Sequence, residues 1–234
     1  MKNPECVWNA HAELGEGPLW SVKEQALYWV DILNRRLHRY SARGEPRTWQ
    51  FEQEITSVAE RANGEGLMVT LRHGFAAFDQ ATEQLTHLKQ VEDHLPSNRF
   101  NDGKCDKRGR YWAGTMDFDG KRATGSLYRL SHDLDCTPMD TDYVVTNGPA
   151  WSSDYTVMYH NDSVNGRVYR FDYDLESGEL SNKRLFLQFS ENECSHDGMT
   201  TDAEGGLCIA HWGASKVTRH DTEGKVLHTV NMRS

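Results

Sequence analysis

Glu16, Asn101, Asn147 and Asp197 are oxygen-bearing side chains that recur at one place in four copies of a repeating unit. Two carboxylates and two carboxamides suit a hard divalent cation, and their charge of about minus two matches one such ion. One divalent ion is therefore expected, with calcium favoured for its all-oxygen preference and zinc or manganese as alternatives. Each residue taken singly also fits a turn, since Gly15-Glu16-Gly17-Pro18, Asn101-Asp102-Gly103, Asn147-Gly148-Pro149 and Asp197-Gly198 all have turn composition. The shared register separates the two readings, because turn chemistry does not itself select oxygen ligands at corresponding positions. Ser57 holds the same place in the remaining unit and brings no strong ligand.

The register comes from five apolar runs, Leu27-Tyr28-Trp29, Leu67-Met68-Val69, Tyr111-Trp112-Ala113, Val157-Met158-Tyr159 and Leu207-Cys208-Ile209, which start 40, 44, 46 and 50 residues apart. Each run follows a polar or glycine-containing turn, as expected where one strand hairpins into the next. A second strand-like run begins 8 to 16 residues later in every unit. Several strands per unit with a period in the forties reads as the blades of an all-β propeller, a single domain over residues 1–234 with five recognisable blade units. Counting back ten or eleven residues from each run reaches Glu16, Ser57, Asn101, Asn147 and Asp197 on the innermost strand of each blade. Equivalent positions of inner strands face one another around the central channel, so these residues are expected to converge at its mouth.

The same segments carry a resemblance over nearly the whole chain. Gly15-Glu16-Gly17-Pro18-Leu19-Trp20, Arg99-Phe100-Asn101-Asp102-Gly103-Lys104 with Gly109 to Met116, Asn147-Gly148-Pro149-Ala150-Trp151-Ser152 and Asp197-Gly198-Met199-Thr200 resemble the SMP-30/gluconolactonase family of six-bladed propellers, which includes regucalcin and bacterial sugar lactonases. The resemblance implies that Glu16, Asn147 and Asp197 bind one divalent metal, and that Asn101, beside the metal, contacts substrate together with Arg99. Positions two apart on a strand face the same way, which suits the Arg99 and Asn101 pairing. It further implies hydrolysis of a small-molecule sugar lactone, an aldonolactone, to the aldonic acid. A cation can stabilise the oxyanion of such an ester or lower the pKa of water, and Asp197 is the expected general base. A non-catalytic calcium-binding regulator is the alternative, and a protein-docking scaffold is a third. In the third unit the two runs stand 16 residues apart because Asp117 to Gly125 is inserted. That polar loop reads as a lid over the substrate or as an ordinary solvated loop, and the resemblance makes Asp119 its sugar-binding residue. His196 stands where the family usually has proline, and is expected to be a surface histidine without a role rather than a titrating group near the site.

Composition excludes several classes. A net charge of −9 argues against binding nucleic acid or an anionic membrane. The start of the chain lacks a signal-peptide core and no apolar run is long enough to span a bilayer, so a cytoplasmic protein is expected. Cys6, Cys105, Cys136, Cys194 and Cys208 are scattered and include no Cys-x-x-Cys pair, which points to reduced thiols rather than disulfides or a zinc ribbon. No His-Glu-x-x-His or Gly-x-Ser-x-Gly occurs. Cys208 for tryptophan and Asn161 for a small residue are departures from the family expected to touch packing more than chemistry. Family members continue for about one further blade, so a chain lacking that blade is expected rather than a closed five-bladed ring. Cys6-Val7-Trp8 resembles the strand that closes the ring and would have no partner.

Overall fold

The computed structural model of the protein describes residues 5–190 and 195–232. Five four-stranded antiparallel sheets follow one another in a β-propeller arrangement, each a meander with its strands in sequence order. The first blade contains β1 (Gly15–Ser21), β2 (Ala26–Asp31), β3 (Arg36–Ser41) and β4 (Gly44–Gln50). The second contains β5 (Ile55–Glu60), β6 (Leu67–Leu71), β7 (Gly74–Phe78) and β8 (Leu85–Gln90). The third is built from β9 (Asn98–Cys105), β10 (Tyr111–Asp117), β11 (Gly125–Leu130) and β12 (Cys136–Tyr143). The fourth has β13 (Thr146–Trp151), β14 (Val157–Asp162), β15 (Arg167–Tyr173) and β16 (Leu180–Gln188), and the fifth β17 (Ser195–Thr201), β18 (Leu207–Trp212), β19 (Lys216–His220) and β20 (Val226–Asn231). Cys194 lies outside the described residues, and Cys6, Cys105, Cys136 and Cys208 are free thiols. Among the described residues no helix is long and apolar enough to cross a membrane.

The five apolar runs are β2, β6, β10, β14 and β18, the second strand of each blade. They read as continuous apolar stretches because a blade is covered on both faces, so alternate side chains of one strand serve two different cores. On β10, Tyr111 and Ala113 pack with Phe75 of the second blade, whereas Trp112 packs with Trp151 and Met158 of the fourth. On β14, Met158 faces the third blade and Tyr159 faces Leu207 and Ile209 of the fifth. The outer strands carry less information: β4, β8, β12, β16 and β20 are almost entirely exposed or half-buried, with no continuous apolar run like that of the second strands. The segment Cys6-Val7-Trp8 forms no strand. Trp8 instead packs against Trp29 and Tyr40 on the face of the first blade turned away from the second, with ring centroids 5.1 and 6.4 Å away.

The inner strands pack side by side in the order β1, β5, β9, β13, β17. All five share one irregularity. The pairing of the inner strand with its neighbour slips between Glu16 and Leu19, between Ile55 and Ser57, beside Asn101 and Asp102, between Asn147 and Ala150, and between His196 and Met199. Each slip is a β-bulge, which bends the strand and re-aims its side chains. Gly17 and Gly148 supply the left-handed backbone at two of them, with φ of 57° and 87°. The turn composition and the metal-ligand register of the sequence are thus one feature: turn-like residues form bulges inside strands.

A buried carboxylate joins the third blade to the fourth. Asp106 accepts from Arg110 Nε at 2.6 Å, Trp112 Nε1 at 2.9 Å and Tyr173 OH at 2.7 Å, and its other oxygen takes the Arg108 and Arg110 amides. Burial pushes its carboxyl up, but the donors from Trp112, Tyr173 and Arg110 outweigh this and hold it below the ordinary value of 3.8. Asp106 therefore contributes stability above pH 3.8 that is lost as pH falls through its lower folded value. Asp106→Asn is expected to cost roughly 3 kcal/mol in urea unfolding at neutral pH, with a loss that shrinks as pH falls from 3.8, where the unfolded carboxyl takes up a proton, toward the lower folded value.

Candidate functional site

The third blade supplies the most connected part of the channel mouth. Because β9 bulges at Asn101 and Asp102, two consecutive side chains both reach β13. Asn101 Nδ2 donates to Thr146 O at 2.7 Å and to Asn147 Oδ1 at 3.1 Å, and Asp102 accepts the Gly148 amide at 3.0 Å. Arg99 Nη1 in turn donates to Asn101 Oδ1 at 2.7 Å and to Phe100 O at 2.9 Å. Arg99, Asn101 and Asn147 thus form one hydrogen-bonded series. Asn147 Nδ2 donates to Ser163 Oγ at 2.8 Å, which fixes the carboxamide so that its oxygen is the end turned toward Asn101.

Glu16 and Asp197 come from the first and fifth blades and stand close enough in the channel for each to shift the other's titration. Burial raises the Glu16 carboxyl most, and the negative charges of Asp197 and Asp102 raise it further. Asp197 is raised in the same way, by burial first and Asp102 second, although the Gly198 amide and Glu16 partly offset this. The physical content is a carboxyl pair that retains a proton because two anions cannot sit together in so little solvent. Burial also lowers the Arg99 guanidinium to about 10, against the pull of Glu16 and Glu54.

The residues fit a hard cation. Among the described residues no three histidines, cysteines or carboxylates could hold a metal by themselves. A cation here would combine the Glu16 and Asp197 carboxylates with the Asn147 carboxamide oxygen, and its charge would replace the retained proton. Ser57 is excluded from such a role, since its hydroxyl is engaged by Thr70 Oγ1 and by Tyr111 OH at 2.7 Å.

His196 and Asn161 stand differently from the sequence expectation, and Asp119 lies on an open loop. Asp119 is 69% exposed and its ion-pair partner is Lys121 at 3.7 Å. The loop instead sends Phe118 toward the site, with its ring 5.9 Å from Arg99 Cζ. His196 is buried rather than at the surface, stacked on Phe189 with ring centroids 3.3 Å apart and edge-on to His211. Asn161 touches the site as well as the packing: it pairs across strands with Asn147, and its Nδ2 donates to Asp197 O at 3.1 Å. Asp102 and Lys104 were not singled out by sequence, and the turn composition of Asn101-Asp102-Gly103 hid them. Lys104 Nζ donates to Met199 O at 2.8 Å. Burial raises the Asp102 carboxyl and lowers the Lys104 ammonium, and each charge moderates the other's shift.

Residues 14–234 match the family described as the SMP-30/gluconolactonase/LRE-like region. Regucalcin of Gallus gallus is 37% identical over 97% of this chain and 78% of its own length. A protein of Bacillus subtilis whose name marks it provisionally as a sugar lactone lactonase is 36% identical over 91% of this chain and 73% of its own. Among solved structures, a calcium-binding protein, regucalcin, from Agrobacterium tumefaciens superposes with a TM-score of 0.89 at 28% identity, covering 94% of this chain and 74% of that one. A gluconolactonase from Xanthomonas campestris, at 22% identity and a TM-score of 0.81 over 95% of this chain and 77% of that one, shares the fold. This chain belongs to the SMP-30/gluconolactonase/LRE-like family.

Proposed function

We propose that the protein is a metal-dependent lactonase that hydrolyses sugar lactones at the channel mouth, with one divalent ion, calcium favoured, held by Glu16, Asn147 and Asp197. The observation that carries this reading is the approach of two carboxyls, both raised by burial and by neighbouring negative charge, to a fixed carboxamide beside the Arg99 and Asn101 series. The sugar lactone lactonase name of the Bacillus subtilis relative and the gluconolactonase in the family's description support the substrate class.

A cation bound there supplies Lewis acidity toward the lactone carbonyl. Asp197, once ionised, takes a proton from the water that adds to the carbonyl carbon, and returns it to the ring oxygen as the ring C–O bond breaks. Arg99 spends a single nitrogen, Nη1, on Asn101 and Phe100, so its other N–H groups are the donors for a polyol. Asn101 has both amide hydrogens committed to Thr146 O and Asn147 Oδ1, so its main effect is to aim Asn147. Phe118 borders the same opening, and Asp119 next to it is the acidic group of the loop offered to sugar hydroxyls.

Asp197→Asn keeps an oxygen ligand of similar shape but removes the proton acceptor. Turnover of an aldonolactone panel, followed by proton release, should fall by about 100-fold or more at saturating calcium. Full recovery of turnover on adding metal would show that Asp197 only holds the ion, and metal uptake without any lactone turnover in the wild type would favour the calcium-binding regulator instead. Arg99→Ala should raise KM more than it lowers kcat, because its contacts serve bound polyol and transition state alike.

The carboxyl pair also predicts a stability signature. Glu16 titrates above its ordinary 4.5 in the fold, so in metal-free protein it opposes folding increasingly as pH rises from 4.5 toward its folded value. Glu16→Gln in chelator should therefore melt above the wild type at pH 8, by roughly 2–4 °C for each kcal/mol relieved, with the gap closing near pH 4.5. Adding calcium should reverse the order. A variant that melts below the wild type in chelator at both pH values would refute the strained pair.

A further inference from the structure

The residues that follow the two ligands Asn147 and Asp197 are Gly148 and Gly198, and one side chain of a third blade lies between them. Asp102 Oδ2 accepts the Gly148 amide at 3.0 Å, and it stands 3.5 Å from the point where a Cβ on Gly198 would be. Two residues further along β9, on the same face of the strand, Lys104 Nζ donates to Met199 O at 2.8 Å. The other Asp102 oxygen is held by the Gly103 amide at 2.7 Å, which fixes the carboxylate before it reaches across.

From one inner strand, two charged side chains thus grip the backbones of two of the three strands that carry proposed ligands, β13 and β17, each within two residues of the ligand. Holding an aspartate and a lysine half-buried in a channel costs solvation, and ordinary packing would do as well with apolar residues of similar volume. The two charges do not pair with each other at contact distance and are instead spent on backbone groups. What this arrangement supplies is a fixed separation between β13 and β17. Those strands belong to different sheets, so no ladder hydrogen bonds join them.

We infer that Asp102 and Lys104 are positioning residues that set the placement of Asn147 relative to Asp197 for a bound cation. The inference rests on the metal site proposed above. Supporting groups of this kind typically contribute 10- to 100-fold in metal affinity. Asp102 is also an anion near Glu16 and Asp197, so its removal alone mixes lost geometry with lost charge. The double variant Asp102→Asn/Lys104→Met separates them, because it removes one negative and one positive charge together and leaves no unpaired buried ion.

Calcium chloride titrated calorimetrically into metal-free wild type, Asp102→Ala and the double variant provides the test, with melting in chelator confirming that each is folded. Both variants are expected to bind calcium roughly 10-fold or more weakly than the wild type. Wild-type affinity in the double variant, with weakening confined to Asp102→Ala, would overturn the inference, since charge alone would then account for the loss. Wild-type affinity in both would overturn it equally. Wild-type protein that takes up no calcium would instead overturn the metal site itself.

Discussion

Two carboxyl groups from opposite ends of the blade series, Glu16 and Asp197, are brought close enough in the channel that burial and neighbouring negative charge raise both. Everything else at the mouth follows from that constraint. Positive charge beside the pair would ease it, and its placement depends on how five blades stack through four successive apolar cores. The cores are large and rigid, so the geometry of the pair is not free to relax. Around it, Arg99, Asn101 and Asn147 form a series whose donors and acceptors are committed in advance.

The sequence was most legible where side chains are buried on both faces. Leu67-Met68-Val69 and Tyr111-Trp112-Ala113 announce central strands because each blade packs against two neighbours, and the period between such runs gives the propeller. The outer strands were silent, since a strand such as β4 has only Trp49 turned inward and otherwise faces water. The site register was legible for a less obvious reason. Bulges recur at the same point of every inner strand, and in four of the five the bulge carries turn-forming residues, so the expected ligand positions and the turn signals coincide in sequence.

What the sequence hid are contacts between blades. His196 is polar and neighbours a turn, which suggests the surface, yet Phe189 covers it from the end of the fourth blade. Asn161 carries no turn or ligand pattern, and only its strand pairing with Asn147 and its bond to Asp197 O reveal a place at the site. Asp102 was masked by the glycine that follows it. For Asn161 and Asp102 a partner lies in another sheet, at Asp197 and Gly148, and no local pattern encodes it.

The recurrent bulge also separates scaffold from alphabet. Every blade offers one socket at the lumen whose direction is set by backbone irregularity rather than by the residue in it. In the second blade that socket holds Ser57, turned to Thr70 and Tyr111 as part of the wall. Exchanging the occupant of a socket changes the donor set without disturbing the apolar cores behind it. A ring of such sockets is a combinatorial device: ligand number, charge and hardness can be rewritten one blade at a time, which gives one architecture access to many cations and many chemistries.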